Sequence, residues 1–216
     1  LFEIARNLLV ALLLLSTSGP AAAEDAKSGP VILALGTSLT AGFGLPAADA
    51  FTEKLQGALT ELGLAAEVRN AGVSGDTSAG GLARLDWALA PDVNAVIVEL
   101  GSNDALRGLD PAQTEANLES ILSQLQEADL PVLLTGMRAP PNLGPDYIAA
   151  FEPIYERLAA KYDAILYPFF LDGVAAQPAL NQPDGIHPNA DGVDVIVKHL
   201  TPFVLQLFDY AAQPNP

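Results

Sequence analysis

Five apolar runs rich in β-branched residues alternate with longer amphipathic stretches, and that alternation constrains the chain more than any other feature of it. The runs are Val31-Ile32-Leu33-Ala34-Leu35, Ala66-Glu67-Val68-Arg69-Asn70 (the weakest), Ala95-Val96-Ile97-Val98-Glu99-Leu100, Val132-Leu133-Leu134-Thr135 and Ala164-Ile165-Leu166-Tyr167. Near-continuous runs of this kind suit strands buried on both faces, as in a parallel sheet. Between them lie helical patterns near 50–62, 78–89, 111–128 and 146–162; Leu118, Ile121, Leu122 and Leu125 mark one buried helix face by their i, i+3, i+4, i+7 spacing. A last stripe, Val193, Ile196, Val197, Leu200, Val204, Leu207 and Phe208, encloses Pro202, which predicts a kink or break there. The expected architecture is a three-layer α/β/α sandwich on a five-stranded parallel sheet.

The polar and glycine-rich clusters fall at one end of these strands. Thr37-Ser38 follows the first, Asn70 to Thr77 the second, Gly101-Ser102-Asn103-Asp104 the third, Met137 to Tyr147 the fourth, and Asp184 and His187 the fifth. Open α/β sheets bind ligands beyond the carboxyl ends of their strands, where strand order reverses. In the common 2-1-3-4-5 order, strands one and three flank that point, which would bring Ser38 and Asn103 face to face.

Asp184-Gly185-Ile186-His187-Pro188 puts a carboxylate three residues before one of only two histidines. In a tight turn the carboxylate can accept from one imidazole nitrogen and leave the other free to take a proton, which is the base and orienter of a nucleophilic triad. Alone, the same residues also read as an ordinary turn. The chain has no cysteine, so serine is the first candidate nucleophile, and Ser38 within Gly36-Thr37-Ser38-Leu39-Thr40-Ala41-Gly42 supplies it. Acyl transfer further needs donors aimed at the developing oxyanion; the Ser38 N–H, the Gly75 N–H and the Asn103 side-chain amide are the candidates. His199, beside Lys198 in the last helical stretch, reads as a solvated helix face.

The four blocks, Gly36-x-Ser38-Leu39, Gly75 in Ser74-Gly75-Asp76-Thr77, Gly101-x-Asn103-Asp104 and Asp184-x-x-His187-Pro188, resemble those of the SGNH (GDSL) hydrolases, whose sheet has the flavodoxin-like strand order. Gly75-Asp76-Thr77-Ser78, Leu82-Ala83-Arg84-Leu85 and Leu106-Arg107-Gly108 are similar to the acyl thioesterase, lysophospholipase and arylesterase branch of that family, which is bacterial and periplasmic. The resemblance implies Ser38 as nucleophile, His187 as base, Asp184 as orienter, and an oxyanion hole of Ser38, Gly75 and Asn103. It implies a serine esterase acting on aryl and short-to-medium acyl esters, lysophospholipids and thioesters, with no cofactor and no metal. By the same resemblance the loop Met137 to Tyr147, with Arg138, Pro140, Asn142 and Gly144, would line the acyl groove. One position departs: the aspartate of the Gly-Asp-Ser-Leu motif is Thr37 here. A carbohydrate acetylesterase on the same fold is the alternative within enzymes. Outside them, a flavodoxin-like phosphate- or flavin-binding module is the rival, though it has no use for Asp184, His187 or Asn103.

Composition bounds the partners. Arg6, the apolar run Leu8 to Leu15 and Ala21-Ala22-Ala23 read as a secretory signal cleaved after Ala23, implying a periplasmic or secreted protein. That run is shorter than the ~20 apolar residues a membrane span needs, so no stable insertion is expected. Removing residues 1–23 takes away Glu3 and Arg6, so the formal charge of −16 belongs to residues 24–216, read as one domain. Such a surface holds no attraction for nucleic acid or anionic lipid, and the expected partner is a small-molecule acyl ester.

Overall fold

The computed structural model describes residues 29–211; the segment 1–23, read above as an export signal, lies outside them. In chain order the elements are β1 (Val31–Gly36), α1 (Ser38–Ala41), α2 (Phe51–Glu61), β2 (Glu67–Gly72), α3 (Ser78–Ala83), α4 (Leu85–Ala88), β3 (Val93–Glu99) and α5 (Ser102–Leu106). They continue with α6 (Pro111–Glu127), β4 (Val132–Thr135), α7 (Pro145–Phe151), α8 (Pro153–Tyr162), β5 (Ile165–Tyr167) and α9 (Ala190–Ala211). The five strands form one parallel sheet in the order β2-β1-β3-β4-β5. Helices cover both faces: α2 packs on α9, while α6 contacts α3 and α8 in the other layer. The α/β sandwich and its strand order are those the sequence predicts.

Burial explains why β1 and β3 sit centrally. All six residues of β1 are buried, and so is every residue of β3 except Asn94. β2 and β5, more polar or shorter, take the edges. No helix among the described residues is long and apolar enough to cross a membrane.

Four local expectations change. The stretch 78–89 is two helices, because Arg84, at φ −111° and ψ 4°, leaves the helical region between α3 and α4. Its guanidinium is committed to the strand ends described below. The stretch 146–162 divides into α7 and α8 because Pro153 has no N–H to return to the preceding turn and instead begins a new helix. Of the kink or break expected at Pro202, the break does not occur: α9 runs through it. A proline inside a helix costs roughly 3 kcal/mol, and burying one Val, Leu or Ile side chain returns ~1.5–3 kcal/mol. Val193, Ile196, Val197, Leu200, Val204 and Leu207 are all buried along that face, so tertiary packing outweighs the local penalty. β2 also runs further than its apolar pattern suggests, through Ala71 to Gly72, since Gly72 pairs with Gly36 at the end of β1.

Candidate active site

The site begins where β1 stops. Thr37 caps α1, its hydroxyl accepting from the Leu39 N–H at 3.4 Å, and Ser38 occupies the first turn with its side chain half-buried. The chain reverses at Gly42 (φ 76°) and reaches Phe43, whose ring lies 4.7 Å from the His187 ring.

His187 comes from the far end of the chain, and a short closed loop delivers it. The Gln182 N–H donates to the His187 carbonyl at 2.7 Å, and the Gly185 N–H to the Gln182 carbonyl at 2.9 Å, with Gly185 at φ 75°. The Gln182 amide then bridges outward, Nε2 donating to the carbonyls of Phe43 (2.8 Å) and Pro188 (2.9 Å). That strap ties the histidine loop to the segment after α1. His187 Nε2 lies 2.9 Å from Ser38 Oγ, and His187 Nδ1 lies 2.7 Å from Asp184 Oδ2. Asp184 Oδ1 accepts from the Ile186 and His187 N–H groups at 3.0 and 3.1 Å, so the carboxylate cannot swing away from the ring. The imidazole hydrogen bond first, and the two backbone donors after it, hold the Asp184 carboxyl down at about 2. A continuous path therefore runs from hydroxyl to imidazole to carboxylate, with the geometry a base needs to relieve the hydroxyl of its proton.

The strand ends opposite are held by polar side chains. Arg84 donates from Nε to Asp76 Oδ2 (2.6 Å), from Nη1 to the Ala71 carbonyl (2.8 Å) and from Nη2 to the Gly36 carbonyl (2.8 Å). One guanidinium thus joins the ends of β1 and β2 to the Gly75–Asp76 turn. Asn103 Nδ2 donates to the Asp76 carbonyl at 2.8 Å, and Arg107 Nη2 to the Gly75 carbonyl at 2.7 Å. The buried Asp104 accepts from the Ser78 N–H (2.8 Å) and Ser78 Oγ (2.5 Å), locking α5 to α3. Gly101, at φ 104°, must be glycine, because a Cβ there would collide with the Tyr155 hydroxyl.

A cleft of about 680 Å³ opens over this arrangement, lined by Ser38, Asn103 and His187 and by an apolar wall that includes Leu106, Met137 and Phe169. Of the predicted loop residues, Arg138 and Pro140 line it; Asn142 and Gly144 do not. Arg138 places its guanidinium over the Phe169 ring, 4.6 Å from its centroid. Gly75 is exposed, at φ 86°, and is absent from the cleft wall, although the Asn103 bond holds the neighbouring Asp76 against the site. His199 is on the surface of α9, 3.6 Å from Asp172. No group of three or more His, Cys, Asp or Glu side chains among the described residues is arranged to hold a metal ion. Residues the motif reading passed over are Glu99, Gln182 and Phe43. Glu99 had a signal of its own, a carboxylate within the otherwise apolar run Ala95 to Leu100.

The chain is also similar to known proteins. A model described as the GDSL-like Lipase/Acylhydrolase family matches residues 34–195. Esterase TesA of Pseudomonas aeruginosa is 46% identical over 158 residues, covering 73% of this chain and 79% of that protein. Thioesterase 1/protease 1/lysophospholipase L1 of Escherichia coli K12 is 41% identical over 184 residues, covering 83% and 87%. Among solved structures, the SGNH-hydrolase family esterase AlinE4 superposes with a TM-score of 0.71 at 49% identity, covering 87% of this chain and 98% of that one.

Two outcomes follow from the site's construction. Arg84→Met keeps the aliphatic stem but strands a mostly buried Asp76 carboxylate and two carbonyls, and should lower stability by about 1–3 kcal/mol in chemical denaturation; an unchanged midpoint would show that Arg84 does not staple the strand ends. Asp184 titrates lower in the fold than the ordinary ~4 of an aspartate. Its pairing therefore stabilises the protein above that ordinary value and is lost as pH falls toward about 2. Asp184→Asn should show a shallower fall in melting temperature across that window than the wild type does.

Proposed function

Since the chain belongs to the GDSL-like lipase/acylhydrolase family and is a carboxylic ester hydrolase, we propose that it works through an acyl-enzyme formed on Ser38. The observation that carries this reading is the unbroken relay Ser38 Oγ, His187 Nε2, His187 Nδ1, Asp184 Oδ2 at 2.9 and 2.7 Å on the wall of an apolar cleft. As Ser38 Oγ attacks the ester carbonyl carbon, His187 Nε2 takes its proton, and Asp184 stabilises the imidazolium through the Nδ1–H bond. Collapse of the tetrahedral intermediate expels the alcohol or thiol with a proton returned from His187. Water then repeats the sequence against the acyl-enzyme and releases the carboxylic acid.

The oxyanion of each intermediate meets three donors in this proposal: the N–H groups of Ser38 and Gly75 and the Asn103 amide. One Asn103 Nδ2 hydrogen is bound to the Asp76 carbonyl, which orients the amide and leaves its second hydrogen for the substrate. Donors held in place beforehand need no reorganisation as charge develops, and each is worth ~10²–10³ in rate.

The apolar wall favours an acyl chain over a sugar, and the cleft volume suits short-to-medium chains. A net charge of −16 disfavours polyanionic thioesters and anionic lipid surfaces as working substrates. Uncharged aryl and alkyl esters and lysophospholipids fit best, with export through residues 1–23 placing the enzyme outside the cytoplasm.

Ser38→Ala should cut hydrolysis of p-nitrophenyl esters by ~10⁴–10⁶ with the fold unchanged by circular dichroism. An organophosphate should label Ser38 in the wild type; a label mapped to Ser74 or Ser102 would reassign the nucleophile. The two histidines give an independent check. His187→Gln should abolish turnover and His199→Gln should leave it intact, and the reverse result would remove both the base and its Asp184 pairing.

A further inference from the structure

Directly beneath Ser38, a carboxylate is enclosed in the core. Glu99, the last residue of β3, is fully buried, and so are the two threonines that face it, Thr37 and Thr40. Its Oε2 accepts from the Thr37 N–H at 2.8 Å, from Thr37 Oγ1 at 3.0 Å and from Thr40 Oγ1 at 2.9 Å, while Oε1 lies 3.1 Å from Thr37 Oγ1. These donors come from the residue before Ser38 and from the residue two after it. Gly36 completes the cradle: a Cβ there would lie 2.7 Å from Glu99 Oε2 and still closer to the Thr40 hydroxyl.

We infer that Glu99 is a positioning residue for catalysis, holding the Ser38 turn through Thr37 and Thr40, and that threonine at position 37 is matched to it as a donor. The inference rests on Ser38 as nucleophile. A buried carboxylate is retained in a core only where donors saturate it. Burial pushes the Glu99 carboxyl up to about 7, and the donors from Thr37 and Thr40 pull against that rise. The Thr37 hydroxyl has one proton, which goes to Glu99, and an acceptor lone pair, which takes the Leu39 N–H. An aspartate at 37 could accept from Leu39 but would set a second acceptor against Glu99. Two carboxyls at these positions would have to share a proton, so the donor and acceptor roles at 37 and 99 are coupled.

The test uses Glu99→Gln, Thr37→Asp/Glu99→Gln and Thr40→Val in the full chain, with p-nitrophenyl butyrate kinetics, thermal melts and the rate of Ser38 labelling by diisopropyl fluorophosphate. In Glu99→Gln the new amide turns a donor toward the Thr37 hydroxyl; kcat and the labelling rate should fall ~10²-fold, as for a small displacement of a reacting atom, with KM nearly unchanged. In the double variant the carboxylate introduced at position 37 accepts from the amide introduced at position 99, and at least about tenfold of kcat should return. A Glu99→Gln variant within about threefold of wild-type kcat, or a double variant as slow as the single, would overturn the inference. If Glu99→Gln does not fold, Thr40→Val removes one donor only: a fall in labelling rate of ~10-fold supports the inference, and no fall overturns it. Failure of the underlying assignment has a different signature, since the wild type would then carry its label on a residue other than Ser38.

Discussion

Parallel pairing places Gly36 between Gly72 on one side and Glu99 on the other, and the functional face of the molecule depends on that register. Three strands end level with one another, so the turns that leave them emerge together. One of these turns carries Ser38, one carries Gly75 and Asp76, and one carries Asn103. A slip of one residue in β3 would turn Glu99 to the other face of the sheet, since side chains alternate along a strand. It would also carry Asn103 away from the Asp76 carbonyl. Two buried central strands make such a slip costly, because it would misplace fully buried side chains such as Ile32, Ile97 and Val98.

Above that apolar floor, polar side chains do the aligning. Arg84 joins three separate segments, Glu99 gathers the α1 turn, and Asp104 clamps α5 to α3. Each is enclosed enough that an unmet partner would be costly, and each is saturated by several donors or acceptors. Satisfied networks of this kind rigidify their surroundings because any departure leaves a polar group unpaired. The geometry demanded of an oxyanion donor tolerates little looseness, which is a physical reason for the strand ends to be stapled by charge as well as packed by hydrocarbon.

The histidine loop is organised differently. It sits near the surface, closed by its own backbone bonds and by Gln182, with Asp184 open to solvent on one side. The Gln182 bridge to Phe43 and the ring contact beside His187 tie it to the segment that follows Ser38.

Much of this protein was legible in the sequence. Apolar runs set the strands, since burial on both faces requires continuous hydrocarbon, and the four polar blocks pointed to Ser38, Asn103, Asp184 and His187, which the fold brings together: His187 bonds Ser38 and Asp184, and Asn103 lines the same cleft as Ser38. Two of the misreadings were local rules overridden by distant contacts: Pro202 leaves α9 unbroken because of what that helix buries, and the stretch 78–89 divides because Arg84 belongs to the strand ends; the division of 146–162 at Pro153 was a local proline signal passed over. Asn142 and Gly144 look like cleft residues by loop composition, yet only the fold selects which side of a loop faces the cleft. Fold class, and the residue types available for acyl transfer, were fixed by amino-acid order, for those depend on periodicity and side-chain chemistry. Folding was needed to establish which groups lie within hydrogen-bond reach: that Glu99 lies under Ser38, that Gln182 holds the histidine loop, and that Arg84 reaches both neighbouring strands. Those contacts join residues as much as 139 positions apart, and no local pattern carries the register that brings them together.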